Sequence, residues 1–531
     1  MSHTVQATAV IGGLLAGLVM AAPAAAQKPG GILKMFSADS PASMSILEET
    51  TAFSVRPMAA VFNNLVMFDQ SMKQNSLASI VLDLATGWTW NEEGTELTLP
   101  LRQGVKWHDG KPFTAADVKC TWDLLTGKSV DKLRVNPRKS WYRNLEEVTA
   151  NGDFEVTFHL KRPQPAFLAL LAAVQSPIYP CHVAPAQMRQ HPIGTGPFKF
   201  VEFKPNEHIK VTKNPNYWRP ERPYLDGIEY AIIKNLSTAI LAFAAGKFDM
   251  SFPYSITKPL LNDVKRQLPQ AACEMAPLGI NRNLIVNRGK PPFDNPDLRR
   301  AMALSLDRKA FIDIITDGEG DIGGLMQPLP EGLWGMPPEM LKELPGYDPD
   351  VAKNRSEARE IMKRLGYGPG RRLEVKVTVR DLPYLRDPAV LLVDQLKEVY
   401  IDGTLETVDT TIYLPKVLRR DYIVGLSPGG SGPDPDHSLY LNYGCDGELN
   451  YPGYCSREVD DLIERQSIIV DQAERRRLIW EIEKKVAADG ARPIIFFDRR
   501  ATCWQPQVKG LTIMVNSIFN GSRMEDVWLD R

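Results

Sequence analysis

Two stretches of this chain hold the residue types that grip small charged solutes, and neither holds a catalytic set. The first is Arg380-Asp-Leu-Pro-Tyr-Leu-Arg386. Arg380 or Arg386 can hold a carboxylate through two parallel N–H bonds, and Tyr384 can stack on a ligand. The competing reading is a surface charge paired with Asp381 or Asp387. The second stretch runs from Gly425 to Asp436, with Gly429, Gly430 and Gly432 around Ser431. Glycines admit close backbone approach, and bare N–H and C=O groups can bind neutral or anionic atoms. A plain tight turn fits the same residues. Asp434 and Asp436 suit turn and helix-capping positions better than ligand contact. Ser37-Ala-Asp39 forms a third polar loop, after an apolar strand over residues 31–36. Enzyme chemistry has little footing: there is no P-loop, H-E-x-x-H or CxxC motif. The G-x-G at Gly194–Gly196 runs into Pro197, not into a helix, and the seven histidines are dispersed. No metal or other cofactor is therefore expected.

The elements that must carry these residues mix strands and helices. Leu97, Leu99 and Leu101 alternate with Thr98, Pro100 and Arg102, a half-buried strand with Pro100 suggesting an edge. Asp109-Gly110 reads as a turn, and Thr114-x-x-Asp117 as the cap of a helix that ends near Gly127. Residues 147–160 read as a hairpin around Asn151-Gly152. Ser356 can cap a helix bearing Ile361, Met362 and Leu365. A strand over Leu373–Val379 and a helix over Ala389–Val399 follow, a β/α alternation. Val459, Leu462, Ile463, Ile469 and Val470 form one helical stripe. Asp471 caps a second helix, stopped by Gly490, and Pro493–Phe497 reads as a strand.

The segment from Leu97 to Val118 resembles the signature of family 5 extracytoplasmic solute-binding proteins, the peptide-binding subunits of ABC importers. Further segments resemble family elements in order: Gly194-Thr-Gly-Pro-Phe198, Asn214-Pro-Asn-Tyr-Trp218, Gly246–Asp249, Pro292–Ala301 with Ser305–Arg308, Asp434-Pro-Asp436 and Gly453–Asp460. Seven short motifs in register over roughly 400 residues carry weight that none carries alone.

The resemblance implies a two-lobed α/β periplasmic-binding-protein fold of type II. Lobe I would span 27–275, with an extra subdomain at about 68–190. Lobe II would span 276–494, and residues 495–531 would return to lobe I. Crossings are expected near Cys273–Pro277 and Ile494–Arg500. Trp107, His108 and Asp109 then read as a structural turn. Function would lie in loops facing the cleft, where contacts from both lobes stabilise the shut form. Ligand-binding candidates are Ser37, Asp39, Arg380, Tyr384, Arg386, Gly429, Gly430 and Ser431, with Asn442, Tyr443, Asn450 and Tyr451 at the rim. Peptide-binding relatives place an Asp before the DPD element to hold the ligand's α-ammonium. Counting back from Asp434 puts Ser431 there, without charge, so a free peptide so anchored is not the expected ligand. A peptide-like, carboxylated or polyhydroxylated solute is. A nickel-type metal complex, an opine or an oligosaccharide remain alternatives, and a secreted enzyme is the weakest. The expected partners are the solute and an inner-membrane ABC permease, with no nucleic acid, for a monomeric protein.

Composition agrees with a soluble chain of two or more domains: 531 residues, 44% hydrophobic, 24% charged. With 63 basic and 64 acidic residues, no global field favours nucleic acid or an anionic membrane. An apolar run over 9–22 leads into Pro23-Ala-Ala-Ala26, so a signal peptide cleaved at Ala26–Gln27 and a periplasmic location are expected. Its first residues carry no Lys or Arg, which leaves open an upstream start or a weak signal; an uncleaved anchor is the alternative. Six cysteines suit an oxidising compartment. Cys445 and Cys455 flank a turn-rich loop and can pair. Cys120 and Cys181 share the expected subdomain and form the second suggested pair, with Cys273 and Cys503 unassigned.

Overall fold

The computed structural model describes residues 27–515 and 517–531. The expected signal segment, 1–26, lies outside them. Among the described residues no helix is long and apolar enough to cross a membrane.

One continuous sheet has two halves, joined through two long strands. Ile32–Ser37 pairs in parallel with Gly227–Ile232 and Met250–Ser251, and the hairpin strands Phe198–Lys204 and His208–Lys213 complete that side. On the other side Leu373–Arg380 lies parallel to Ile401–Val408 and to Val424–Gly430. Ala272–Val286 and Ile494–Trp504 run antiparallel through both halves. Their register breaks between Pro277 and Asn281. Proline offers no N–H to the ladder, so the crossing is interrupted there. One disulfide, Cys273–Cys503, ties the two crossing strands together directly opposite each other.

The region of the Leu97–Val118 signature folds as a separate four-stranded sheet with one helix. Glu96–Pro100 buries Leu97 and Leu99 and pairs with Glu155–Leu160. Pro100 does not make it an edge strand: Thr89–Trp90 pairs with Thr98 and Leu97, and Pro100 lies beyond that ladder. Thr114 and Asp117 form a capping box on the helix Ala115–Thr126, which Gly127 ends in a left-handed turn. The hairpin at Asn151-Gly152 forms between Leu145–Ala150 and Glu155–Leu160. His108 accepts a bond from the Gly194 amide at 3.2 Å and its Nε2 lies 3.0 Å from the Gly196 carbonyl oxygen, while burial lowers its pKa to about 4. A neutral imidazole thus fastens one motif to another. Gly196 has to be glycine, because a Cβ there would lie 2.6 Å from the Val61 carbonyl.

Two helix starts and one helix end differ from expectation. Asp350, not Ser356, caps Val351–Arg364, its carboxylate accepting the Lys353 amide at 2.9 Å. The next helix begins six residues early, as Pro383–Lys397, because Pro383 takes the first turn where no N–H is needed. The stripe near the C-terminus ends at Ser467, leaving Val470 exposed, before Asp471 starts Gln472–Asp489. The last long strand continues well past Phe497, to Trp504. All three disulfides are formed: Cys120–Cys181, Cys273–Cys503 and Cys445–Cys455.

Candidate functional site

Between the two halves lies a cavity of about 190 Å³, walled from both sides. Its position follows from the strands. Ala38 follows the strand Ile32–Ser37, Arg380 ends Leu373–Arg380, and Gly429 and Gly430 end Val424–Gly430. Loops at strand ends of open α/β sheets are where such folds bind ligands.

The two halves touch across the cavity. Arg380 Nη2 donates to Asp39 Oδ2 at 3.1 Å, and the Thr410 hydroxyl donates to the same oxygen at 2.6 Å. All three side chains are buried. Elsewhere the Ser140 hydroxyl donates to Glu448 Oε2 at 2.6 Å, and Trp141 Nε1 donates to the His437 carbonyl at 3.0 Å. The conformation is closed.

Arginine dominates the lining. Arg56, Arg138, Arg282, Arg380, Arg492 and Arg500 all line the cavity and all are at least 94% buried, and no Asp or Glu is among its described lining residues. Two carboxylates sit behind three of them. Asp39 holds Arg380, while Asp498 holds both Arg282 and Arg500, the latter at 2.6 Å. Arg138 donates to the carbonyls of Ile46 and Glu49. Arg492 donates to Asn283 Oδ1, Asn442 Oδ1 and the Leu449 carbonyl at 2.5–3.0 Å. Burial lowers the pKa values of Arg56, Arg138 and Arg282 to about 10, which leaves all three charged at neutral pH. Tyr384 is sandwiched by charge: Arg500 lies 4.1 Å and Arg282 5.5 Å from its ring centre. Phe53, Phe252, Leu278 and Phe519 supply apolar wall.

Of the residues singled out by sequence, Arg380, Tyr384, Gly429 and Gly430 reach the cavity. Asp39 stands behind Arg380, and the Ser37 hydroxyl turns back to the Asp39 carbonyl. Arg386 does not reach it. The early helix start carries it to the outer face, where it pairs with Asp381 at 3.1 Å. Ser431 is also misplaced. Its amide donates to Gly279, its hydroxyl accepts the Gln327 amide at 3.1 Å, and it lines a separate small hollow. Gly429 and Gly430 are strand residues paired with Asn281 and Ile280, so the expected bare loop is largely a ladder. A Cβ at Gly429 would approach Asn281 Oδ1 to 2.6 Å, so a larger residue there would force the Asn281 side chain to shift. Asp434 and Asp436 are buried against Arg475, with Asp434 also accepting the Asp436 amide. Asn442 and Tyr451 line the cavity; Tyr443 flanks Arg492, and Asn450 ties the disulfide loop internally.

Sequence reading missed five of the six arginines. A signal existed for two: Arg282 lies in Gly-Ile-Asn-Arg-Asn-Leu-Ile-Val and Arg500 in a strand opening Ile-Ile-Phe-Phe. A cation inside an apolar strand asks for a buried partner.

Known proteins resemble this chain in sequence and in fold. The family of bacterial extracellular solute-binding proteins, family 5, matches residues 79–450. Di/tripeptide-binding protein 1 of Pseudomonas aeruginosa is 27% identical over 512 residues, covering 90% of each chain. The Helicobacter pylori periplasmic binding protein DppA, solved with the peptide STSA, superposes with a TM-score of 0.83 at 23% identity, over 95% of this chain and 99% of that one. The Bacillus subtilis oligopeptide-binding protein AppA, solved with a nonapeptide, gives 0.82 at 22% identity, over 95% and 100%. The chain belongs to the bacterial extracellular solute-binding proteins of family 5.

Proposed function

We propose that this protein is the extracytoplasmic binding subunit of an ABC importer, enclosing a peptide or peptide-like solute between two lobes and presenting it to an inner-membrane permease. The observation that carries the reading is the cavity bridged by Arg380 and Asp39. Such a contact exists only when the lobes are shut, so the protein has a closed state whose interior is small-solute in scale. Relatives named for di- and tripeptides support the peptide-like class. We divide the chain as lobe I at 27–275, lobe II at 276–494 and a return segment at 495–531, with residues about 68–190 as an added subdomain. Export would follow cleavage at Ala26–Gln27. The ligand contacts are assigned to Arg380, Tyr384 and the Gly429–Gly430 backbone, joined by the other cavity arginines.

Native mass spectrometry of protein purified from the periplasm tests this. We expect a mature chain beginning at Gln27 and a stoichiometric small adduct released on unfolding. Turnover of the adduct, or absence of saturable binding by any peptide-like solute, would remove the reading.

A further inference from the structure

We propose that the enclosed solute is a polycarboxylate: a peptide-sized body, in part apolar, bearing at least two carboxylates. This deepens the binding-subunit reading and rests on it.

The argument is one of charge. Six guanidinium groups line one closed cavity; of the five besides Arg56, Asp39 ion-pairs Arg380 and Asp498 ion-pairs Arg282 and Arg500. Glu49, whose field reaches Arg138, is itself bonded to Ser43 and lies 3.9 Å from Arg134. Arg138 and Arg492 are positioned wholly by neutral oxygens. Neutral oxygens fix a guanidinium in place without cancelling its charge, which is how a protein presents a cation to an arriving anion.

The cations also come from both halves. Arg56 and Arg138 stand on lobe I, Arg282, Arg380 and Arg492 on lobe II, and Arg500 on a crossing strand. Closing the lobes brings like charges together and strips them of water, both of which oppose closure. A solute can shift the balance only through interactions stronger in the shut form. A polyanion supplies them by neutralising both faces at once; a neutral or cationic solute leaves or worsens the repulsion. Two anionic groups are needed because the cavity's excess over its own carboxylates is more than one charge. Phe53, Phe252, Leu278 and Phe519 face the same space, so the body between the carboxylates is not uniformly polar.

The test is calorimetry on the full mature protein, freed of any adduct by unfolding and refolding. The probes are Glu-Glu, its amide counterpart Gln-Gln, Lys-Lys, citrate and inorganic phosphate. We expect Glu-Glu or citrate to bind at least about 100-fold tighter than Gln-Gln and Lys-Lys, with affinity falling as salt rises. Arg492→Gln should lower the acidic probe's affinity by about tenfold or more, while Arg492→Lys restores much of it. Should Arg492→Gln fail to fold, Arg500→Gln serves, because Asp498 keeps Arg282 as its partner. Gln-Gln or Lys-Lys binding as tightly as Glu-Glu overturns the proposal, as does a response to phosphate alone or to no anionic probe. Failure of the binding-subunit reading looks different: no solute of any charge, native adduct included, binds.

Discussion

Thr410 is the residue at which closure can be weakened without altering charge. Its hydroxyl donates to Asp39 Oδ2 and accepts from Arg380 Nη2 at 3.1 Å, and it lies on the opposite lobe from Asp39. Thr410→Val keeps shape and charge and loses bonds made to ionised groups, worth about 1.5–3 kcal/mol. Because Asp39 can be hydrated in the open form, the loss falls on the closed one. Affinity for the co-purifying solute should drop by about tenfold or more, mainly through faster release, with the melting temperature of the stripped protein nearly unchanged. An unchanged release rate would show that this contact is not part of closure. Glu483 presents a different residue-scale case, away from the solute. It is buried, accepts the Leu325 amide at 2.7 Å, and burial raises its pKa from 4.5 to about 8. Arg308, Tyr347 and Arg492 line the same hollow. The folded state therefore holds this proton in a range where the unfolded chain has released it. The contribution of Glu483 to stability is full below about 4.5 and is lost as pH rises toward 8. Melting temperature should fall between pH 5 and 8.5, and Glu483→Gln should flatten that decline while keeping the bond from Leu325. A parallel decline in the variant would put the pH response elsewhere.

Elements were legible where local chemistry settles them. The capping box at Thr114 and Asp117, the Asn151-Gly152 hairpin and the Asp471 cap are decided within a few residues, and all formed. The site was less legible because it depends on where elements start. Pro383 begins a helix that sequence periodicity placed at Ala389, and that shift points Arg386 outward while leaving Tyr384 inside. Ser431 was located by counting back from Asp434, but Gly429 and Gly430 extend a strand, so the backbone turns away one residue too soon. Arg138 and Arg56 belong to segments far along the chain from lobe II, and only the fold brings them to it. Disulfides act at this scale as well. In the chain-entropy account, closing the 10-residue separation of Cys445–Cys455 contributes about 3 kcal/mol and the 230-residue separation of Cys273–Cys503 about 5 kcal/mol. Paired Cys→Ser replacement should lower the denaturant midpoint more for Cys273 and Cys503 than for Cys445 and Cys455. The smaller loop carries Tyr451, whose ring lies 5.5 Å from the Arg492 guanidinium, so its opening should also weaken solute binding. The reverse order of midpoints would mean native-state contacts, not chain entropy, decide these contributions.

Over the whole molecule, the crossing strands and the arginine-lined cavity impose opposite tendencies that a solute reconciles. Ala272–Val286 and Ile494–Trp504 join the lobes through a ladder interrupted at Pro277–Asn281, which gives a pivot without severing the sheet. The disulfide at Cys273–Cys503 lies on the lobe I side of that interruption and keeps the two strands together while they bend. Closure about this pivot gathers six guanidinium groups, so the stripped protein should rest open and the loaded protein shut. Small-angle scattering reads the difference directly. The loaded chain should have a radius of gyration near the ~23 Å expected of a compact chain this long, and the stripped chain a larger one. Raising salt should move the stripped protein toward the shut form, since screening lessens the repulsion among the partly hydrated guanidiniums of the open cleft. A stripped protein with the same radius as the loaded one, at low salt as at high, would show that closure does not wait for an anion.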